Sequence, residues 1–295
     1  MQTTTPIEPS RSQDHPWAPY ASELPVSVVV LLLDHRAGGA VPILRAKRLS
    51  NALGATLHAV LSLPDDATRF DTAHVAYVRR LLQHMGPPCD HELEIVRGSL
   101  EVAGLDVARE LDPVVVVLDA SASTGFACRI VDELGLPALV ARDPRTGGEL
   151  IAASDLGHTG LPVLSTARNY ARALDRPVTY FHNVRPMPPF VGDPSTGLDT
   201  LAPGAVMEDE VVSIRMSRLR RFAGGEPDSK AILARENSTV EAILELVRDR
   251  GADLIVVGRD ERSWLSRFLG RGVTERVIEE SPRSVLVVPT EPERC

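Results

Sequence analysis

Continuous apolar runs recur along this chain at the spacing of alternating strands and helices. The run VSVVVLLLD, Val26 to Asp34, is apolar at every position except Ser27 until Asp34 closes it. Such a run predicts a strand buried on both faces of a parallel sheet. After a Gly-Gly turn, apolar positions at helical spacing from Ile43 to Leu53 predict a helix that Gly54 stops. The order continues with a strand Thr56 to Leu63, a helix over about Thr72 to Met85, a strand Glu92 to Arg97, a helix over about Leu100 to Leu111 and a strand Val114 to Leu118. A turn with Gly125, a further helix and a strand Ala138 to Ala141 complete this half.

From Glu149 the order begins again. ELIAASD predicts a strand ending in Asp155, LPVLSTARNYARALD a helix with Pro162 in its first turn, and PVTYFHNV the next strand. Asp34 aligns with Asp155, and Leu53–His58 with Leu174–Thr179, at the same offset of 121 residues. Val114 aligns with Leu254 at an offset of 140, so 19 residues enter between these points. They fall in the Pro- and Gly-rich stretch Pro186 to Gly204, which predicts a surface insertion. Near the C-terminus, ADLIVVGRDERSWLSRFLGRGVTERVIEESPRSVLVVP predicts a strand Leu254 to Val257, an arginine-rich loop starting at Gly258, a helix, and a strand Val285 to Val288 closed by Pro289. Pro137 aligns with Ser284 at 147, so 7 more residues lengthen the loop after Gly258. The fold class expected is α/β: two tandem, doubly wound parallel-sheet (Rossmann-like) domains over residues 25–143 and 149–290, with helices on both faces of each sheet.

Composition narrows the function. Hydrophobic content of 43% and charged content of 24% are those of an ordinary globular protein. A net charge of −8 argues against nucleic-acid binding and against an anionic membrane surface. No apolar run reaches the roughly 18 residues of a spanning helix. Residues 1–24 are rich in Pro, Thr and Ser and predict a disordered tail without a signal sequence. The three cysteines, Cys89, Cys128 and Cys295, are widely spaced and read as reduced thiols of a cytoplasmic protein. The histidines do not cluster; His158 and His182 read as surface or satisfied core residues, not metal ligands. Asp119, Ser121 and Ser123 lie outside any Gly-x-Ser-x-Gly elbow, which excludes an α/β-hydrolase site.

In doubly wound sheets ligands collect at the carboxyl ends of strands, where helix N–H groups attract anions. Gly258 and the loop after it are therefore the first candidate site. The repeated order, the Asp ending the first strand of each half, and ADLIVVG followed by a loop, a helix and SVLVVP resemble the universal stress protein family. The resemblance covers nearly the whole chain after the tail as two copies, the C-terminal copy being the closer match. ATP-binding members share a loop of the form G-x2-G-x9-G-[S/T], whose glycines let backbone N–H groups approach phosphates. Carried over, the resemblance implies an adenine-nucleotide site at Asp155, Val184, Gly258, Arg259, Arg271, Gly272 and Val273.

Departures from the pattern are specific. Glu261 and Arg271 stand at the second and third glycine positions, Gly270 and Gly272 flank the latter, and Arg259, Arg262, Arg267 and Arg271 make the loop basic. In the N-terminal copy Asp34 is retained, but Leu118 replaces the first glycine and the loop shortens to Asp119–Gly125, with Ser121, Ser123 and Thr124 as its hydrogen-bonding residues. Bland readings stand beside these: Asp155 as a turn carboxylate, Gly258 as a glycine needed for positive φ, the arginines as a solvated face, Trp264 as a packing residue. The resemblance implies a cytoplasmic, regulatory stress-response factor with at most one ATP or other adenine-nucleotide site. The alternative is an interaction protein that binds no nucleotide and recruits a protein partner. An enzyme is not expected, because no base, metal cluster or Walker-type lysine is present. The last strands of the two halves, apolar edges that need cover, are expected to pair within one chain as a pseudo-dimer, with a homodimer of chains left open.

Overall fold

The computed structural model describes residues 28–35, 39–65, 69–143, 147–157, 160–186, 203–224, 228–259 and 272–290. The tail, most of the 186–204 stretch, and the loop carrying Glu261, Arg262, Trp264, Arg267, Gly270 and Arg271 lie outside these residues, as does His158.

The N-terminal half runs β1 (Val28–Asp34), α1 (Ala40–Leu53), β2 (Thr56–Leu63), α2 (Arg69–His84), β3 (His91–Arg97), α3 (Leu100–Leu111), β4 (Val115–Asp119), α4 (Thr124–Leu134) and β5 (Ala138–Ala141). The C-terminal half runs β6 (Leu150–Ala153), α5 (Leu161–Leu174), β7 (Val178–Asn183), α6 (Pro203–Ala223), β8 (Lys230–Ala234), α7 (Thr239–Arg250), β9 (Leu254–Arg259), α8 (Val273–Glu280) and β10 (Ser284–Pro289). All ten strands form one sheet in the order β3-β2-β1-β4-β5-β10-β9-β6-β7-β8. Pairing is parallel within each half and antiparallel at the seam, where Val285 faces Val140 and Val287 faces Ala138. The apolar last strands thus cover each other, as their sequence requires.

Val29 to Leu33 are each at most 1% exposed, which explains the unbroken apolar run in β1. Each such side chain contributes about 1.5–3 kcal/mol by leaving water. One core lies on the face of α1, α2, α5 and α6, joining Ile43 and Leu82 to Leu164 and Leu219. The other lies on the face of α3, α4, α7 and α8, joining Leu105 and Phe126 to Ile243 and Val277. Both cores run through both halves.

Charge also crosses the seam. Buried Asp253 accepts from Arg45 Nη1 of α1 at 3.4 Å and from Arg176 Nη1 at 3.1 Å, and Arg283 pairs with Asp143. Ser284 Oγ donates to the Arg142 carbonyl at 2.6 Å and accepts from the Arg142 N–H at 3.0 Å.

Several element ends differ from the sequence reading by one to three residues, α2, β3, β4 and β10 among them, and three further ends are informative. α1 starts at Ala40, before the first helically spaced apolar residue used to place it. β6 stops at Ala153, two residues short of Asp155. β9 continues through Gly258 to Arg259, because the ladder with β10 continues to Gly258–Val288 and Arg259–Pro289. The first candidate glycine is therefore a strand residue, not a loop residue.

Candidate functional site

Chain connectivity fixes where a ligand crevice lies. From β6 the chain proceeds outward to β7 and β8, then returns to add β9 on the other side of β6. The reversal between β6 and β9 is the topological switch point of this half. At the carboxyl ends there, Ala153 lies beside Val257 and beside Phe181. Asp155, Val184 and Gly258 follow within three residues of these positions, so the strand ends bring the two residues expected at the adenosine end beside the glycine expected at the phosphates.

Asp155 is exposed and its Oδ1 accepts the Gly157 N–H at 2.9 Å, the geometry of a turn-forming carboxylate. Ser154 Oγ accepts from Leu156 N at 3.1 Å and donates to the Gly160 carbonyl at 3.1 Å. A Cβ on Gly160 would collide with both Ser154 Oγ and Asp155 Oδ1, so a larger residue there would have to displace these side chains. Two arginines of α6 brace it from above: Arg215 Nη1 donates to the Asp155 carbonyl at 2.8 Å and Arg218 Nη1 to the Leu156 carbonyl at 3.3 Å.

His182 of β7 lies under that brace, 4% exposed. Its Nδ1 is 2.7 Å from the Ser154 carbonyl, which can only accept, so Nδ1 carries the proton. Nε2, 2.8 Å from Arg215 Nη1, must then be the acceptor of a neutral ring. Burial, aided by Arg215, pushes the His182 pKa below its ordinary value against the opposing pull of the Ser154 carbonyl and Asp155. His182 is thus a satisfied core histidine. Val184 is half-buried, its N–H donating to the Ala234 carbonyl at 3.0 Å. Its neighbour Asn183 ties β7 to the start of α7, donating to Thr239 Oγ1 at 3.0 Å.

Gly258 does not adopt a positive φ. Its reason is space: a Cβ would lie 2.8 Å from Val163 Cγ2 and closer still to Thr290 Cγ2. The Gly258 carbonyl accepts from Thr274 Oγ1 at 2.6 Å, which draws the start of α8 against the end of β9. Thr290 Oγ1 donates to the Arg259 carbonyl at 2.6 Å. Gly272 is the N-cap of α8, and a Cβ there would lie 2.6 Å from Glu275 Oε2. Val273 opens α8 and packs against the core.

The Arg259 side chain turns toward the other half. Its Nε and Nη2 donate to both carboxylate oxygens of Asp132 in α4, and its Nη1 to Glu275 Oε1. Arg271, the remaining residue of the expected set, lies outside the described residues.

In the N-terminal half the corresponding position is closed. Leu118 is fully buried where the second half has Gly258. Asp119 Oδ1 accepts the Ser121 N–H at 2.8 Å. Ser123 caps α4 through Phe126 N at 3.0 Å and its hydroxyl donates to Glu101 Oε1 at 3.2 Å. A carboxylate at that helix start leaves no welcome for an anion.

Sequence reasoning missed Asp132, Thr274 and Arg215. Thr274 is legible as a hydroxyl beside a helix N-cap, and the Arg215/Arg218 spacing as one helix face; Asp132 carries no local signal.

Residues 150–289 match the family described as the universal stress protein family. Among solved structures, the chain is similar to a protein of unknown function from Pseudomonas aeruginosa PAO1, at 17% identity and TM-score 0.61, over 92% of this chain and 94% of that one. A protein assigned to the universal stress proteins from Pseudomonas aeruginosa UCBPP-PA14 gives 14% identity and TM-score 0.64, over 88% and 92%. A universal stress protein from Archaeoglobus fulgidus DSM 4304 gives 14% identity and TM-score 0.58, over 88% and 96%. These likenesses concern the fold, and they extend over both halves. No curated protein matches the sequence.

Proposed function

Residues 150–289 form a universal stress protein domain, and on that premise we propose that the chain is a non-catalytic stress-response factor with one adenine-nucleotide or adenosine site, in its C-terminal half. The observation that carries this reading is the convergence of Asp155, Val184 and Gly258 at the switch point of β9, β6 and β7. The equivalent place in the N-terminal half is filled by Leu118 and a carboxylate-bonded Ser123. Occupancy acts by changing the surface offered to a partner, a shift of populations and not a turnover.

Among the described residues at this crevice, His182 has both nitrogens engaged and Asp155 Oδ1 accepts the Gly157 N–H, which supports a non-catalytic reading. Among the described residues no helix is long and apolar enough to cross a membrane. A second reading, an interaction protein that binds no nucleotide, is favoured by the engagement of Arg259 with Asp132 and Glu275. Titration calorimetry with ATP, ADP, cyclic AMP and adenosine separates the two. Binding to one or more of them, weakened in Asp155→Ala, supports the first reading; silence from all four supports the second. Release of ADP from ATP above a protein-free control would contradict the non-catalytic role.

A further inference from the structure

Arg259 follows Gly258 at the end of β9, but its guanidinium is already engaged by two carboxylates. Thr274 Oγ1 on the Gly258 carbonyl fixes the α8 N-terminus beside the end of β9, where the anionic part of a bound ligand would come to rest. A carboxylate is there instead: Glu275 Oε2 lies over Gly272, close enough to exclude a Cβ. Glu275 Oε1 in turn accepts from Arg259 Nη1, while Nε donates to Asp132 Oδ1 at 2.9 Å and Nη2 to Asp132 Oδ2 at 3.0 Å. One guanidinium between two carboxylates leaves the cluster with a net negative charge. The adjoining Cys128 thiol does not alter that sum, because burial pushes its pKa up to about 11 and keeps it neutral. Arg259 cannot release its partners by titration either: burial opposes its charge, but hydrogen bonds to Asp132 and Glu275 hold its proton more firmly than in water.

Resting on the reading of a C-terminal adenosine site, we propose that Asp132 and Glu275 set its specificity, holding Arg259 off the ligand so that the site recognises the nucleoside and gains no affinity from a polyphosphate. Asp132 belongs to α4 of the other half. The N-terminal copy, closed as a site of its own, thereby acts as a positioning element for the site in its twin. The bidentate Asp132–Arg259 pair is planar and directional, the geometry by which carboxylates orient guanidinium groups.

The test is the ratio of ATP affinity to adenosine affinity for the full chain, at low and high salt, in wild type, Asp132→Asn, Glu275→Gln and Asp132→Glu. Wild type is expected to bind ATP no more tightly than adenosine. Either neutral variant raises the ratio by about tenfold, a gain that shrinks as salt is added, since it is a charge effect. Asp132→Glu keeps the pair and stays near the wild-type ratio, and thermal melting confirms that each variant folds. A wild type that clearly prefers ATP, or a ratio unmoved in both neutral variants, overturns the roles of Asp132 and Glu275 while leaving the adenosine site standing. Absence of adenosine binding in wild type removes the site, and this proposal with it.

Discussion

Asp132 and Arg259 are 127 residues apart in sequence and joined side by side, with Nε and Nη2 of the arginine at 2.9 and 3.0 Å from the two carboxylate oxygens. The pair bridges α4 of one half and β9 of the other, next to the seam where β5 and β10 meet. It places a residue read from sequence as a ligand contact into the interface that holds the halves together.

Removing one partner should therefore cost stability. The side chains are 20% and 30% exposed, so the loss falls short of a fully buried pair. Asp132→Ala is expected to destabilise the chain by about 1–3 kcal/mol, measured as a lower urea midpoint at unchanged slope. Arg259→Ala should cost at least as much, because it leaves Asp132 and Glu275 facing each other without a cation. Midpoints within error of wild type for both would show that the bridge is ornamental.

Gly258→Ala separates a packing reason from a conformational one. With φ outside the left-handed region, the cost comes from the collision with Val163 and Thr290, about 1–3 kcal/mol. Thr290→Ser removes the offending methyl and keeps the hydroxyl on the Arg259 carbonyl. The double variant should accordingly recover part of the loss in denaturant melts. Simple additivity of the two substitutions would contradict the packing explanation.

His182 gives the chain a pH dependence of stated sign. Its folded pKa lies below the ordinary 6.5, chiefly through burial and next through Arg215, so the unfolded chain binds the proton more readily. Stability is full above the unfolded value and declines as pH falls through about 6.5 toward the folded value. Urea midpoints from about pH 5 to 7.5 should show this slope in wild type and a flatter one in His182→Gln. Nitrogen chemical shifts should report the neutral ring with its proton on Nδ1. A proton on Nε2 would contradict the contact with the Ser154 carbonyl.

Much of the fold was legible because its central strands are buried on both faces. Thr56–Leu63, Leu100–Leu111 and Ala138–Ala141 have the same bounds in sequence and structure. The pairing of the last strands was legible too, since two apolar edges in one chain need the same cover. The end of β9 was not: Gly258 and Arg259 read as turn signals, and only the ladder with β10 keeps them in the strand. The proposed nucleoside end rests on Asp155 and Val184, each of which follows the end of a strand that the sequence marks. The fate of Arg259 was not legible, because its partner lies in the other copy and no local pattern marks Asp132. Likewise, the brace of Arg215 on Asp155 and His182 depends on how α6 packs across β7, which periodicity does not fix.

The central claim is that a chain with two copies of one fold keeps a single site, and stoichiometry tests it most directly. Equilibrium dialysis of the full chain against labelled adenosine and cyclic AMP is expected to give one ligand per chain, lost in Asp155→Ala and kept in Asp34→Ala. Two ligands per chain, equal losses in both variants, or no binding of either ligand would contradict it.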